Sequence, residues 1–307
     1  MTSSPVSVVI ASFNGEKFIQ EQIQSILGQS LLPDEIIVCD DNSTDKTVER
    51  INSINSPLIK VYTNSSSLGV VGNFKRAVGF SKPENMIAFS DQDDIWMPNK
   101  IELLYKEMLS INDELTPSLV YSDLVLIDEN KNIINPSFWN QLNHDEHEHC
   151  LETILFGNFV TGLSMLMNNK MREHFLIKPD DEILHDVWLA FIAFTFGKVR
   201  TISSPLAFYR QHVNNVNYNY TFKKLDKWEM RLLKLKMIFT KNDFLKSEFI
   251  IAKKFYTFYS NLISLEDKIL INKFILLEKK PFIIKHLYLR LFFKGKWKGK
   301  STFTDYR

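Results

Sequence analysis

The chain reads as an α/β protein: a mostly parallel sheet flanked by helices, followed by a helical C-terminal extension. Three observations predict this. Short apolar runs alternate with segments of helical period through the first 110 residues, the pattern of parallel strands joined by crossover helices. Three of those runs end in polar or acidic residues, where such sheets bind ligands. From residue 221 onward the apolar spacing is helical throughout.

Taken in order, "VSVVIASFN" (6–14) is a buried strand ending in a loop. "EKFIQEQIQSILGQ" (16–29) places apolar residues at 19, 23, 26 and 27, a helical period. "EIIVCDDNSTDKTVERI" (35–51) is strand, acidic turn and helix, with Ser43 or Thr44 as N-cap. "LIKVYTN" (58–64) is a strand and "GVVGNFKRAVGF" (69–80) a helix. Met86–Ser90 is a short buried strand, and a helix runs from Pro98 to about 110. "SLVYSDLVLID" (118–128) begins as a strand. Residues 130–220 show no sustained period, apart from a strongly apolar helix in "ILHDVWLAFIAFTFG" (183–197). In the tail, Phe222, Leu225, Trp228, Leu232, Leu235 and Phe239 fall at steps of three and four, one apolar stripe.

With 307 residues and 45% hydrophobic content, the chain can bury a substantial core. Two cysteines, Cys39 and Cys150, cannot form a disulfide framework, which suits a reducing, cytoplasmic setting. The first residues carry no basic, apolar signal pattern, and no uninterrupted apolar run reaches the roughly 18 residues of a membrane span. The net charge of +1 conceals a split. Residues 1–219 carry 16 Lys and Arg against 28 Asp and Glu, and residues 220–307 carry 21 against 8. An acidic body (1–218) and a basic helical region (219–307) are therefore expected as separate domains.

The stretch "MIAFSDQDDIWMPNK" (86–100) sets Asp91, Asp93 and Asp94 at the tip of a buried strand. Like charges this close repel unless something positive lies between them. A hard divalent cation, Mn²⁺ or Mg²⁺, would neutralise Asp91 and Asp93 and bridge to a diphosphate; the alternative is an acidic loop capping the next helix. At Asp40-Asp41 one carboxylate suits a nucleotide contact and the other an Asx turn. A single glycine follows the first strand, so a dinucleotide fingerprint is absent. Asp186 opens the apolar helix beside His185, either as a cap or as a base for a substrate hydroxyl. Arg210 and His212 follow an apolar segment, and His212 is either a further metal ligand or a loop histidine. "NHDEHEHC" (143–150) matches no zinc spacing and reads as a solvated loop.

These pieces, in this order, resemble glycosyltransferase family 2, the inverting GT-A enzymes. The resemblance rests on "VSVVIASFNGEKFIQEQIQSIL", "IIVCDDNSTDKT", "LGVVGNFKRA", "FSDQDDIWMPNKIE", "LVYSDLVLID", "NFVTGLSMLM", "LHDVWLA" and "YRQHVNNV", spanning residues 5–216. The later motifs look most like the rhamnosyltransferase-like subgroup of bacterial cell-wall and capsular polysaccharide synthesis. The resemblance implies a Rossmann-like GT-A sheet and transfer of a sugar, dTDP-L-rhamnose favoured and a UDP-hexose second, to a saccharide or lipid-linked acceptor. It implies a base contact at Asp41, with Ala11 and Phe13 lining that pocket and Asn73 near the nucleotide. Asp91 and Asp93 match the D-x-D, with Gln92 between them on the donor, and Asp186 matches the general base. His212 matches a metal or diphosphate position, and Thr161, His185 and Arg210 are expected near acceptor or diphosphate. Val187 stands where relatives commonly carry a second Trp.

A catalytically inactive nucleotide-binding protein of the same fold is the alternative in a different class; such a protein would be free to lose Asp91, Asp93 and Asp186, and all three are present. In the tail, Lys285, His286, Arg290 and Lys294 recur at steps of about four, with Trp297 nearby. That stripe suits either the anionic inner face of a membrane, met peripherally, or a second subunit. Nucleic acid is not expected, because the tail's aromatics sit in apolar stripes rather than on a stacking platform.

Overall fold

The computed structural model describes residues 3–113, 115–142, 149–179, 182–212, 245–281, 284–285 and 287–288. The chain forms two units, one of residues 1–139 with 160–211 and one of 140–159 with 212–307. The boundary is therefore not the single break expected near residue 218.

In the first unit, β1 (Ser3–Ser12), β2 (Leu32–Asp40), β3 (Ile59–Thr63) and β4 (Met86–Ser90) are linked by α1 (Ile19–Leu27), α2 (Thr47–Asn52) and α3 (Gly69–Phe80). The short β5 (Ile95–Trp96), α4 (Lys100–Ile111), β6 (Ser118–Ile127) and β7 (Ile133–Asn135) follow. After the short α5 (Phe138–Gln141), and beyond α6 (Leu151–Ile154) of the second unit, come a 3₁₀ turn at Gly162–Ser164, β8 (Met165–Met167), α7 (Asn169–Leu176), α8 (His185–Phe196) and β9 (Lys198–Arg210). The sheet order is β3-β2-β1-β4-β8-β6-β9-β5, with β7 beside β6. The parallel character is confined to β3-β2-β1-β4 and to the β6–β9 pair; β8, β5 and β7 pair antiparallel.

The parallel half is covered on both faces, which is why its strands read as continuous rather than alternating apolar runs. Val6, Val8, Val9 and Ile10 of β1 and Ile36, Ile37 and Val38 of β2 are fully buried. Ile19, Ile23 and Ile26 place the apolar face of α1 on the core. The expected helix at 69–80 is observed with those bounds. The expected cap of α2 is not: Ser43 and Thr44 lie outside a helix that begins at Thr47, whose N–H donates to the Asp45 carboxylate at 2.9 Å.

The strand β9 comes from the stretch with no sustained period. The exposed Ser203 and Ser204, the half-buried Thr201 and an internal Pro205 hide its strand pattern. The pairing with β6 jumps from Ser122↔Ile202 to Asp123↔Pro205, a bulge that accommodates a residue with no N–H to donate.

The second unit contains α9 (Lys246–Tyr259) and α10 (Leu265–Leu277). Phe249 and Phe274 pack at 4.8 Å, and Phe156 meets Phe274 edge-on at 5.0 Å. That burial of Phe156 explains why 140–159 groups with the C-terminal helices. Ser264 caps α10 by accepting from Asp267 N–H. Among the described residues no helix is long and apolar enough to cross a membrane. The polar stretch at 143–148, the apolar stripe at 222–239 and all of the basic tail beyond residue 288 lie outside the described residues.

One buried cation ties α7 to the end of α3. Arg172 donates to the carbonyls of Lys82 (2.7 Å), Val78 (2.8 Å) and Ser81 (3.2 Å), at and just beyond the last turn of α3. Arg172→Ala should lower unfolding stability by about 3 kcal/mol in urea titration, because buried carbonyls lose a charged donor.

Candidate active site

Three parallel strands bring their carboxyl ends side by side. The register Ser12↔Asp40 between β1 and β2, and Ile10↔Ser90 between β1 and β4, sets Phe13 beside Asp41 and Ala11 beside Asp91. The loops beyond are laced together. Asn14, in left-handed backbone at φ 48°, donates its N–H to Ser43 Oγ (2.9 Å) and accepts from Thr44 N–H at Oδ1 (2.9 Å). Gly15 N–H donates to Thr47 Oγ1 at 2.8 Å. Ser43 and Thr44 thus serve the loop rather than the helix. Asp40 accepts from Ser43 N–H (2.8 Å), the turn role foreseen for one of the two aspartates.

Asp41 is almost fully buried, and its carboxylate is already satisfied. It accepts from Asn64 Nδ2 (2.7 Å), Leu68 N–H (2.7 Å), Ser67 Oγ (2.6 Å) and Gly69 N–H (3.0 Å). Burial would raise its pKa, but these four donors outweigh it and hold the carboxyl below its usual range. A carboxylate offers about four lone-pair sites, so Asp41 is the fastener of the 67–69 loop and not an open acceptor for a base. Asn73, 2% exposed, donates to the Cys39 carbonyl (2.8 Å) and accepts from Asn64. It is a strut between α3 and β2, not a surface for the nucleotide. The sites that do remain open here are Ala11, partly exposed, and Phe13, a residue 52% exposed.

The acidic tip of β4 is built over two buried cations. Arg210, 1% exposed, donates Nε–H to the Asp93 carbonyl (2.7 Å), one terminal N–H to the Glu129 carbonyl (3.1 Å) and another to Glu21 (2.7 Å). Its backbone N–H donates to Asp94 Oδ1 at 2.8 Å, and its guanidinium lies over the Phe18 ring. The expectation that Arg210 meets acceptor or diphosphate is therefore corrected: its donors face inward and shape the loop. Lys100, fully buried, donates to the Leu163 carbonyl and sits 3.8 Å above the Trp96 ring. Burial pushes its pKa well down, partly opposed by Asp94 and Asp91. The sequence reading missed this residue, although Lys100, Leu104 and Met108 share the core-facing stripe of α4 at steps of four.

The remaining charge balance is negative. Burial, then Asp93 and Asp186, push Asp91 up to about 7, with Lys100 pulling the other way. Asp94 is raised well above its usual range by burial and its two neighbours, and its Oδ2 is buried without a partner. Asp186, at the first turn of α8, is raised to about 6 by burial, although the backbone N–H groups of Val187 (2.7 Å) and Gly162 bond its carboxylate. Asp186 is thus both a helix-start carboxylate and part of the same acidic cluster as Asp91. The partly exposed Thr161 stands beside Gly162, and its hydroxyl has no partner among the described residues.

Two further expectations are corrected. His185 is not an acceptor or diphosphate contact: its ring packs on Phe74 (4.5 Å), Phe89 (4.7 Å) and Phe175 (6.2 Å), and burial lowers its pKa to about 3. The Gln92 amide expected on the donor instead bonds the Phe13 backbone with one N–H and one lone pair. His212 belongs to the second unit, and among the described residues no three His, Cys, Asp or Glu side chains gather as a metal-holding group. Asp91 and Asp93 alone still fit a hard cation, since Mg²⁺-type ions take one or two carboxylates and complete their shell with substrate phosphates and water.

Comparison with known proteins agrees with this geometry. Residues 7–170 match the Glycosyl transferase family 2 domain. The chain is 29% identical over 231 residues to the dTDP-rhamnosyl transferase RfbG of Shigella flexneri, covering 70% of this chain and 75% of RfbG. It is 34% identical over 125 residues to the UDP-Glc:alpha-D-GlcNAc-diphosphoundecaprenol beta-1,3-glucosyltransferase WfgD of Escherichia coli, covering 41% of this chain. That match spans about half of WfgD, 47% of its length. Among solved structures, S. aureus TarS 1–349 in complex with UDP-GlcNAc superposes with a TM-score of 0.52 at 17% identity, over 89% of this chain and 77% of that one. The likeness to TarS shows a shared fold, GT-A.

The raised pKa of Asp91 has a stability consequence. Its folded value, about 7, lies above the unfolded one, so below about pH 4 both states hold the proton and the group costs nothing. Between pH 4 and 7 the unfolded state ionises first, and stability falls as pH rises. Without divalent cation, Asp91→Asn should therefore match wild type near pH 4 and exceed it at pH 8, by on the order of 2–4 kcal/mol. Thermal unfolding at the two pH values reads this directly.

Proposed function

The chain belongs to glycosyl transferase family 2, and on that premise we propose that it transfers a sugar, with inversion, from a nucleoside diphosphate donor to an acceptor hydroxyl in bacterial polysaccharide synthesis. The observation that carries this reading is the closeness of Asp186 to the D-x-D: its charge helps raise the pKa of Asp91. A single in-line displacement needs one base and one stabiliser of the leaving group, and no second nucleophile. Asp186 takes the acceptor hydroxyl proton as the new glycosidic bond forms and the bond to the diphosphate breaks, the electron pair leaving on the diphosphate. Asp91 and Asp93 would hold Mn²⁺ or Mg²⁺, which supplies charge to the departing diphosphate. Phe13, exposed beside the strand tips, gives the nucleoside an apolar face.

Likeness to RfbG over three-quarters of its length favours dTDP-L-rhamnose as donor. The higher identity to WfgD over a shorter stretch supports UDP-glucose as the second reading, and a lipid-linked diphosphate acceptor with it.

Purified protein incubated with a panel of dTDP- and UDP-sugars and Mn²⁺ should turn over one donor, and Asp93→Ala should abolish its metal-dependent binding with the fold retained. An Asp93→Ala protein that binds donor like wild type and still needs metal would exclude the D-x-D role. Asp186→Asn should leave donor affinity near normal while lowering kcat about 10²–10⁴-fold. Because the active form is the ionised carboxylate, the wild-type rate should rise with pH through about 6 and then level. A variant retaining half its rate would reduce Asp186 to a helix cap.

A further inference from the structure

The middle residue of the acidic motif is bound to the backbone on the opposite side of the site. Gln92 Oε1 accepts from Phe13 N–H at 2.9 Å, and Gln92 Nε2 donates to the Phe13 carbonyl at 3.0 Å. One side-chain amide thus pairs with both polar groups of one residue, as a neighbouring strand would, across 79 positions of sequence. Phe13 is the first residue beyond β1, so the sheet no longer holds it. Gly15 leaves the room this pairing needs: a Cβ there would fall 2.2 Å from Gln92 Oε1 and 2.5 Å from its Cδ. The loop and the side chain are built for each other.

We infer that Gln92 is a positioning residue for the donor: through the Phe13 peptide it fixes the exposed Phe13 ring relative to the Asp91 and Asp93 carboxylates flanking it in sequence. The inference rests on the proposed function, which places the nucleoside at Phe13 and the diphosphate at the two aspartates. The clamp sets the spacing between those subsites, so losing it weakens donor binding without touching the proton transfer at Asp186.

The experiment uses full-length protein and the variants Gln92→Ala, Gln92→Met, Gly15→Ala and the Gly15→Ala/Gln92→Ala pair. Hydrogen exchange at the Phe13 amide reads the clamp itself; calorimetry with UDP and dTDP in Mn²⁺, with donor KM and kcat, reads its consequence. In both Gln92 variants the Phe13 amide should exchange faster. Diphosphate Kd and donor KM should rise about tenfold, the worth of two modest hydrogen bonds. The kcat should stay within about twofold, the mark of lost uniform binding. Gly15→Ala should do the same by displacing the amide, and the double variant should be no worse than Gln92→Ala, since the two changes break one contact. Unchanged Phe13 exchange, unchanged Kd in both Gln92 variants, or additive losses in the pair would overturn the inference. So would a lowered unfolding midpoint with affinity intact, which is the outcome of a merely structural bond. A wild type that binds neither diphosphate would overturn the proposed function and the donor role together; faster Phe13 exchange in Gln92→Ala would then show that the clamp exists and the ligand was misassigned.

Discussion

Three aspartates within four residues at the tip of β4 repel one another; the buried Lys100 opposes the rise in pKa of Asp91 and Asp94, and the buried Arg210 braces the loop through its backbone N–H on Asp94 and its guanidinium on the Asp93 carbonyl. Neither cation is there by local convenience. Arg210 ends β9, and its guanidinium fork reaches backbone of the Asp91–Asp94 loop, backbone at Glu129 and the side chain of Glu21 on α1. Lys100 opens α4 and reaches the Gly162–Ser164 turn. Removing one partner from such an arrangement strands an uncompensated charge, which costs far more than the pair contributes. The loop's shape is therefore coupled to three elements of distant sequence, and none of those elements can shift without exposing a buried charge.

The same logic explains why several residues expected at the donor face inward instead. Asp41, Asn73 and Gln92 carry the polar chemistry a nucleotide would accept, yet each spends it within the protein: Asp41 on two backbone N–H groups and the Asn64 and Ser67 side chains, Asn73 on the Cys39 carbonyl and Asn64, Gln92 on the Phe13 backbone. Loops at the end of a sheet have peptide groups with no ladder to join, and buried ones must find partners. A short polar side chain one strand away is the nearest supply. Polar residues clustered at strand tips thus point to one edge of the sheet while leaving open which of them would meet a ligand and which hold the ones that do. A site held this way needs little rearrangement to bind.

Legibility followed the range of the physics. The parallel half, with α1 and α3, was readable because its burial repeats at a fixed local period, as in Ile19, Ile23 and Ile26. The edge carrying Asp91, Asp93 and Asp186 was readable because carboxylates at the ends of apolar runs are locally conspicuous. What failed was non-local. β9 is a strand because β6 pairs with it through a bulge at Pro205, not because its own residues alternate. The inward role of Arg210 depends on Glu21 and Glu129, neither near it in sequence. His185 beside Asp186 looked like a pair of site residues; which of two adjacent helix-start side chains points into the core is decided by Phe74, Phe89 and Phe175, drawn from three other elements. Lys100 was the one miss with a local signal, since a lysine on an apolar stripe asks for a buried acid.

That aromatic box also bears on Asp186, the proposed base. Trp188, Leu189, Ala190, Phe191, Ile192 and Ala193 bury α8 almost all round, and the His185 ring, neutral among phenylalanines, seats its first turn. Gly162 lies so close that a Cβ there would meet His185 Nε2 at 2.4 Å, so turn and helix fit only with no side chain between them. The same desolvation that anchors the helix raises Asp186 to about 6, since an ion held against an apolar surround loses its water. The backbone N–H groups of Val187 and Gly162 stop that rise short of neutrality, leaving the carboxylate ionised at pH 7 yet basic enough to share a proton. Packing that fixes where Asp186 stands therefore also sets how strongly it binds a proton, and a change that loosens the box moves both at once.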